Sequence, residues 1–215
     1  MKLGLGITTT PERSDIFISN LKEWIKYLPP NTNLYVHNDT KHKGVPYSKN
    51  KCLSALDDCD HIFLVDDDVR PLKDEWWMPY TSSKEPHLMY IFTGFGNQTR
   101  GIKEIYRSDE IVAYNHMRGC LLYIERRVLD VVGGMDEDFG LGMYEHSDWS
   151  NRIHNAGLTT WKVMDVPNSN ELIYSMDENE EVESTFDQSQ RIKMIRKNKP
   201  LKVIKSNSKQ YMEYK

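Results

Sequence analysis

The sequence predicts an α/β fold, a single domain on a mixed, mostly parallel sheet flanked by helices. Three observations predict it. Apolar runs of strand length alternate with segments of helical periodicity through the first half of the chain. Each early run ends in polar or acidic side chains, and open α/β sheets bind ligands beyond the carboxyl ends of their strands. No internal repeat or low-complexity linker divides the 215 residues, a length that suits one domain with its own core.

A first strand is expected at residues 3–7, followed by Thr8, Thr9 and Thr10. Ile16, Leu21, Trp24 and Leu28 then recur at roughly helical spacing, and Pro29-Pro30 ends that helix. A second strand at 34–36 leads to Asn38-Asp39. Residues 48–56 form the next helix, with Cys52, Ala55 and Leu56 on its inner face. The third strand, 62–65, runs into Asp66-Asp67-Asp68. This β-α-β-α-β order predicts parallel pairing with helices on both sides. Further strands are expected at 89–92, 119–125 and 161–166. A helix near 126–132 stops at Gly133-Gly134, and an acidic stretch covers 135–144. The next helix starts at about Ser147 as its N-cap, turns Trp149, Ile153 and Ala156 inward, and stops at Gly157. The domain is drawn as 1–185, with 186–215 a basic C-terminal helix and tail.

Composition narrows the function classes. Charged residues make up 28% of the chain, no run approaches the ~18 apolar residues of a membrane span, and the apolar start is too short for a secretory signal. Cys52, Cys59 and Cys120 form no zinc or C-x-x-C spacing, and an odd count without a framework suits a reduced, cytoplasmic compartment. The net charge of −4 is unevenly spread. Residues 191–215 hold nine basic side chains and Glu213, hence +8, which leaves −12 for the rest. Such a tail reads as a solvated helix or as a contact for a polyanion, nucleic acid included, or an anionic membrane surface.

Two segments carry chemistry. Three successive carboxylates, Asp66, Asp67 and Asp68, at the end of a buried strand repel one another and call for a cation. Oxygen donors of this kind suit Mn²⁺ or Mg²⁺ with water and substrate phosphate completing the shell; the plainer alternative is an acidic loop capping the next helix. An EF-hand is excluded because its glycine and distal glutamate are missing. The second segment is Glu145-His146-Ser147-Asp148-Trp149, where helix capping competes with a base that takes a proton from an attacking hydroxyl. His146 adds an imidazole, a group suited to proton transfer near neutrality. Gly4-Leu5-Gly6 and Gly94-Phe95-Gly96 lack the spacing of dinucleotide or phosphate loops.

In this order the segments resemble family 2 glycosyltransferases of the GT-A, Rossmann-like nucleotide-diphospho-sugar transferase fold, over roughly residues 3–160. Thr8-Thr9-Thr10-Pro11-Glu12-Arg13 resembles the first-strand segment that holds the nucleoside, and Asn38-Asp39-Thr40 stands where the family places an Asp on the base. Gly44-Val45-Pro46-Tyr47-Ser48-Lys49-Asn50 resembles the segment whose Arg or Lys approaches the donor. Asp66-Asp67-Asp68 matches D-x-D. Arg126-Arg127 with Gly133-Gly134-Met135-Asp136-Glu137 resembles R-R…G-G-F-D-E, and Glu145-His146-Ser147-Asp148 with Arg152 and Gly157 resembles E-D-x-D…R…G.

The resemblance implies a metal-dependent, inverting hexosyl- or pentosyltransferase that uses a nucleotide-sugar, UDP-sugar first, and a hydroxyl acceptor. Thr8, Thr10, Arg13, Asp39, Lys49, Asp66 and Asp67 would bind the donor, Asp68 and Asp66 the metal, and Asp148, Glu145 or His146 would be the base. Two departures stand out: His146 replaces the usual catalytic Asp, and no histidine follows His154 to serve as a late metal ligand. The acceptor pocket is expected to draw on 89–99 and 116–119. Alternatives are a DNA glycosyltransferase acting on a hydroxymethylated base, or an inactive sugar-nucleotide-binding remnant. A pyrophosphorylase is disfavoured because it would need a Gly-rich N-terminal loop.

Overall fold

The computed structural model describes residues 1–94, 101–183 and 185–215. In chain order the first elements are β1 (Leu3–Thr9), α1 (Ser14–Tyr27), β2 (Asn33–Asn38), α2 (Val45–Ala55), β3 (His61–Asp66) and β4 (Val69–Pro71). There follow α3 (Met78–Thr81), β5 (His87–Met89), β6 (Glu104–Arg107), β7 (Val112–Tyr114), β8 (Leu121–Glu125), α4 (Arg126–Val132) and α5 (Glu145–Asn155). The chain closes with β9 (Met164–Asp165), β10 (Ile173–Ser175) and α6 (Gln188–Ile204).

The central sheet has the order β2-β1-β3-β8-β5. β1 lies between β2 and β3, parallel to both, while β8 runs antiparallel to β3 and β5. Alternation along β1 explains how it is covered. Leu3, Leu5 and Ile7 face α1 in a core with Phe63, Val65 and Tyr123. Gly4 and Gly6 face the other side, where α2 presents Cys52 and the turn after it presents Cys59. A Cβ on Gly6 would stand 2.6 Å from that of Cys52, so the missing side chain is what lets the helix lie so close. On that side α2, α4 and α5 cover Ile62, Leu64, Leu122 and Ile124.

α1 does more than bury a face. Trp24 meets Trp76 edge-on at 4.9 Å, and its indole N–H donates to the Val69 carbonyl at 2.8 Å. One turn earlier, the Asn20 amide donates to the Asp67 carbonyl at 2.9 Å. These two bonds fix the turn between β3 and β4 that carries the carboxylates.

Three expected elements are revised. The strand at 89–92 ends at Met89, because the Ile91 N–H is taken by the Asp165 carboxylate at 2.7 Å instead of a strand neighbour. The strand at 161–166 shrinks to two residues, since Asp165 turns its carboxylate onto the Val166 N–H and closes the ladder. The helix expected with Ser147 as its N-cap begins three residues earlier. Its N-cap is Tyr144 in a left-handed conformation (φ 76°), and the Asp148 N–H donates to the Tyr144 carbonyl at 2.8 Å.

The C-terminal residues pack back onto the domain. Tyr214 is buried against the α2–α4–α5 core, and Met212 pairs with Gly133. Gly133 has φ 67°, and a side chain there would collide with the Met212 carbonyl. α6 opens with a capping box between Asp187 and Gln190. It buries Met194 and Asn198, and the Asn198 amide donates to the carbonyls of Phe139 (2.8 Å), Gly142 (2.6 Å) and Met143 (3.2 Å).

Candidate active site

Parallel register brings the first group together. Thr8 pairs with Asp66 and Thr9 with Asn38, so three strand ends lie side by side. The Thr8 hydroxyl lies 3.3 Å from Asp66 Oδ1, and the Thr9 hydroxyl donates to Asp67 Oδ2 at 2.7 Å. Thr10 starts the turn that follows, its carbonyl accepting from the Arg13 N–H at 3.1 Å.

Arg13 spans the acidic turn. Its Nε donates to Asp67 Oδ1 at 2.7 Å and Nη2 to Asp68 Oδ2 at 2.9 Å, while Nη1 reaches the Glu183 carbonyl at 3.1 Å. Lys49, only 1% exposed on α2, donates to Asp66 Oδ1 at 2.7 Å. Asp39 is spent on backbone, accepting from the Lys43 N–H at 3.0 Å and the Gly44 N–H at 2.8 Å, which closes the turn into α2. Burial disfavours its charge, but those two bonds outweigh it and hold the carboxyl below its usual range.

Asp68 is the most perturbed member. Burial first, then repulsion by Asp66, push its carboxyl up to about 7 despite Arg13. Its Oδ1 is buried without a partner. Among the described residues no three acidic, histidine or cysteine side chains converge as a ready-made metal cage. A hard divalent ion does not require one, because Mg²⁺ and similar ions take one or two carboxylates and complete the shell with water and phosphate. The orphaned Asp68 oxygen and the 38%-exposed side chain of Asp66 fit that donor set.

The second group stands at the N-terminus of α5. Glu145 is buried; Oε1 lies 3.1 Å from His146 Nδ1 and Oε2 has no partner. Burial opposes its ionisation, yet the His146 contact and the nearby charge of Lys49 keep the carboxyl below its usual range. Lys49 thus links the two groups. His146 packs against Gly119.

Asp148 turns away. It is 2% exposed, and its Oδ2 accepts from Arg152 Nε at 2.8 Å. Arg152, wholly buried, donates onward to the carbonyls of Val132 (2.7 Å) and Gly134 (2.6 Å). The Asp148–Arg152 pair therefore ties α5 to the end of α4. Asp136 likewise pairs with Lys205, and Glu137 accepts from Asn50 at 3.0 Å.

Asp177 and Glu178 were not singled out as site residues by sequence. The Met176 N–H donates to the Asp68 carbonyl at 2.9 Å, which sets the following Asp177 beside the acidic turn. Burial first, with repulsion by Asp66, raises Asp177 above its ordinary range against the pull of Arg191, Arg13 and Arg118. Glu178 pairs with Arg118 at 3.4 Å. In sequence these acids open a run of five between residues 177 and 183; a three-residue pairing of β10 with β4 brings them in. Of the expected acceptor pocket, residues 95–99 lie outside the described residues, and Gly119 lies against His146.

No protein-family model and no curated protein sequence matches this chain. Solved structures do. A Drosophila β1,4-galactosyltransferase 7 mutant in complex with manganese, UDP-Gal and xylobiose is 18% identical, with a TM-score of 0.55 over 88% of this chain and 78% of that one. S. aureus TarS in complex with UDP is 12% identical, with a TM-score of 0.58 over 91% of this chain and 70% of that one. GalNAc-T7 with UDP, GalNAc and Mn²⁺ is 12% identical, with a TM-score of 0.56 over 78% of this chain and 42% of that one. With the mixed sheet, its parallel half and the helices on both faces, these likenesses show that the chain has the GT-A glycosyltransferase fold.

Proposed function

We propose that this protein is a metal-assisted glycosyltransferase that takes a sugar from a nucleotide-sugar, UDP-sugar first, and transfers it with inversion to a hydroxyl. The observation that carries the reading is that buried Lys49 stands between two acidic groups, donating to Asp66 and lending its charge to Glu145. The acidic turn holds an unpartnered Asp68 oxygen, and Glu145 holds another. The UDP-containing GT-A neighbours support the choice of donor.

Thr8, Thr10 and Arg13 would bound the nucleoside side of the cleft, and Asp39 would shape it by holding the turn before α2. Asp68 and Asp66 would hold Mn²⁺ or Mg²⁺, which when bound neutralises charge on the departing diphosphate. Asp67 keeps Arg13 in place, and Lys49 holds Asp66 while its charge favours ionised Glu145.

Glu145 acts as the base. The acceptor oxygen forms its bond to the anomeric carbon as its proton passes to a Glu145 oxygen. The bond from that carbon to the diphosphate oxygen breaks on the opposite side, and its electron pair leaves with the nucleoside diphosphate. His146 orients Glu145 through the 3.1 Å contact. Asp148 is the weaker choice because Arg152 already holds it in the interior.

Glu145→Gln is expected to lower kcat by roughly 10²–10⁴-fold while leaving UDP affinity intact. Steady-state kinetics beside calorimetry of UDP binding test this. Unchanged kcat would move the base to His146 or Asp148.

A further inference from the structure

α6 carries six basic side chains, Arg191, Lys193, Arg196, Lys197, Lys199 and Lys202, and no acid. None of the six forms a salt bridge among the described residues, whereas Lys205, just past the helix, pairs with Asp136 and Asp138. Pairs such as Lys193–Arg196, Lys193–Lys197, Arg196–Lys199 and Lys199–Lys202 repel one another at helical spacing. The helix keeps this charge at a cost in its own stability.

Helical periodicity divides the six. Arg191 and Lys202 fall on the same stripe as buried Asn198, half-buried on the side that faces the domain, and the other four are exposed. Eleven residues separate the two, about 16 Å along the axis. The stripe runs from the acidic turn to the start of α5. At one end the charge of Arg191 acts on Asp177 beside the acidic turn. At the other, Lys202 Nζ sits 4.7 Å over the ring of Tyr144, the residue before Glu145. His116, exposed there, also feels Arg118, Lys202 and His146. Asn198, between them, binds the loop that leads to Glu145.

We propose that α6 is the acceptor-binding rim and that the acceptor is a phosphodiester-linked chain, laid along the Arg191–Lys202 stripe with a hydroxyl at Glu145. This rests on the glycosyltransferase reading and names its acceptor class. The exposed cations extend the positive surface well past the reach of the donor's own two phosphates. A chain with a charge at each repeat would engage both ends of the stripe and the outer face, which a single phosphate would not. Binding would therefore weaken steeply with salt.

The test measures fluorescence anisotropy of a labelled single-stranded DNA oligonucleotide and of a glycerol-phosphate oligomer across a salt series, with anionic phospholipid vesicles as a third arm. Salt-sensitive binding of either phosphodiester chain is expected, and the tighter one identifies its source. Replacing both stripe cations, Arg191→Glu with Lys202→Glu, should weaken it by about tenfold or more, with melting temperature recorded to confirm folding. The charge-removing pair Arg191→Gln and Lys202→Gln should show the same direction if the first does not fold. UDP affinity, measured in parallel, separates this proposal from the one it rests on. UDP binding without binding of either chain overturns the acceptor proposal alone. Binding to vesicles only, or loss of UDP binding instead of chain binding in the variants, overturns it as well.

Discussion

At the scale of single residues, the cleft balances acids against built-in cations. Arg13 and Lys49 already meet Asp66, Asp67 and Asp68, so a metal ion would enter a site that is partly neutralised. Asp68 sets the pH response. Its carboxyl titrates at 3.8 when freely solvated and rises to about 7 in the folded chain, chiefly through burial. Over that interval the folded chain holds a proton that the unfolded chain has released, so metal-free stability falls as pH rises from 3.8 to about 7. Metal needs the ionised carboxylate, so manganese affinity should climb through the same window and level off above it. Arg13→Gln, which frees two carboxylates, should tighten manganese binding on the order of tenfold. Titration of free Mn²⁺ by electron paramagnetic resonance checks both; an affinity indifferent to pH and to Arg13 would contradict them.

At the scale of elements, what the sequence made legible was whatever repeats or runs. The alternation of Leu3, Leu5 and Ile7 with glycines, the spacing of Trp24 and Leu28, and the acidic end of β3 each announce an element within a few residues. The close packing of α2 on β1 depends on Gly6, and Gly6→Ala should destabilise the fold by roughly 1–3 kcal/mol as seen in denaturant melts. A substitution without effect would mean that α2 shifts freely. The elements that escaped are the ones decided by a single distant contact. Asp165 ended two strands by capturing N–H groups, and Tyr144 started α5 in a left-handed conformation that no local preference specifies. The same holds for the site. Asp66, Glu145 and Lys49 stood out by motif, but the inward turn of Asp148 follows from Arg152, and the approach of Asp177 follows from strand pairing across about a hundred residues.

At the scale of the whole molecule, the C-terminal residues are tied to the cleft. Asn198 holds the loop before Glu145, Met212 pairs with Gly133, and Tyr214 fills the core beneath α4 and α5. Removing residues 186–215 should therefore lower thermal stability and, through the loosened loop, reduce transfer more than UDP binding. A truncated protein with the parent's melting temperature would show that the tail is a separate appendage. The basic helix read from sequence as a charged tail is thus one wall of the working domain in this account.

The central claim, a metal-assisted nucleotide-sugar site at the acidic turn, is tested most directly by calorimetry of UDP and a panel of nucleotide-sugars with and without Mn²⁺, on the parent chain and on Asp68→Ala. The account predicts binding that requires the metal, favours a uridine donor and is lost in the variant. Binding that ignores both the metal and Asp68, or no binding by a folded protein across the panel, would contradict it.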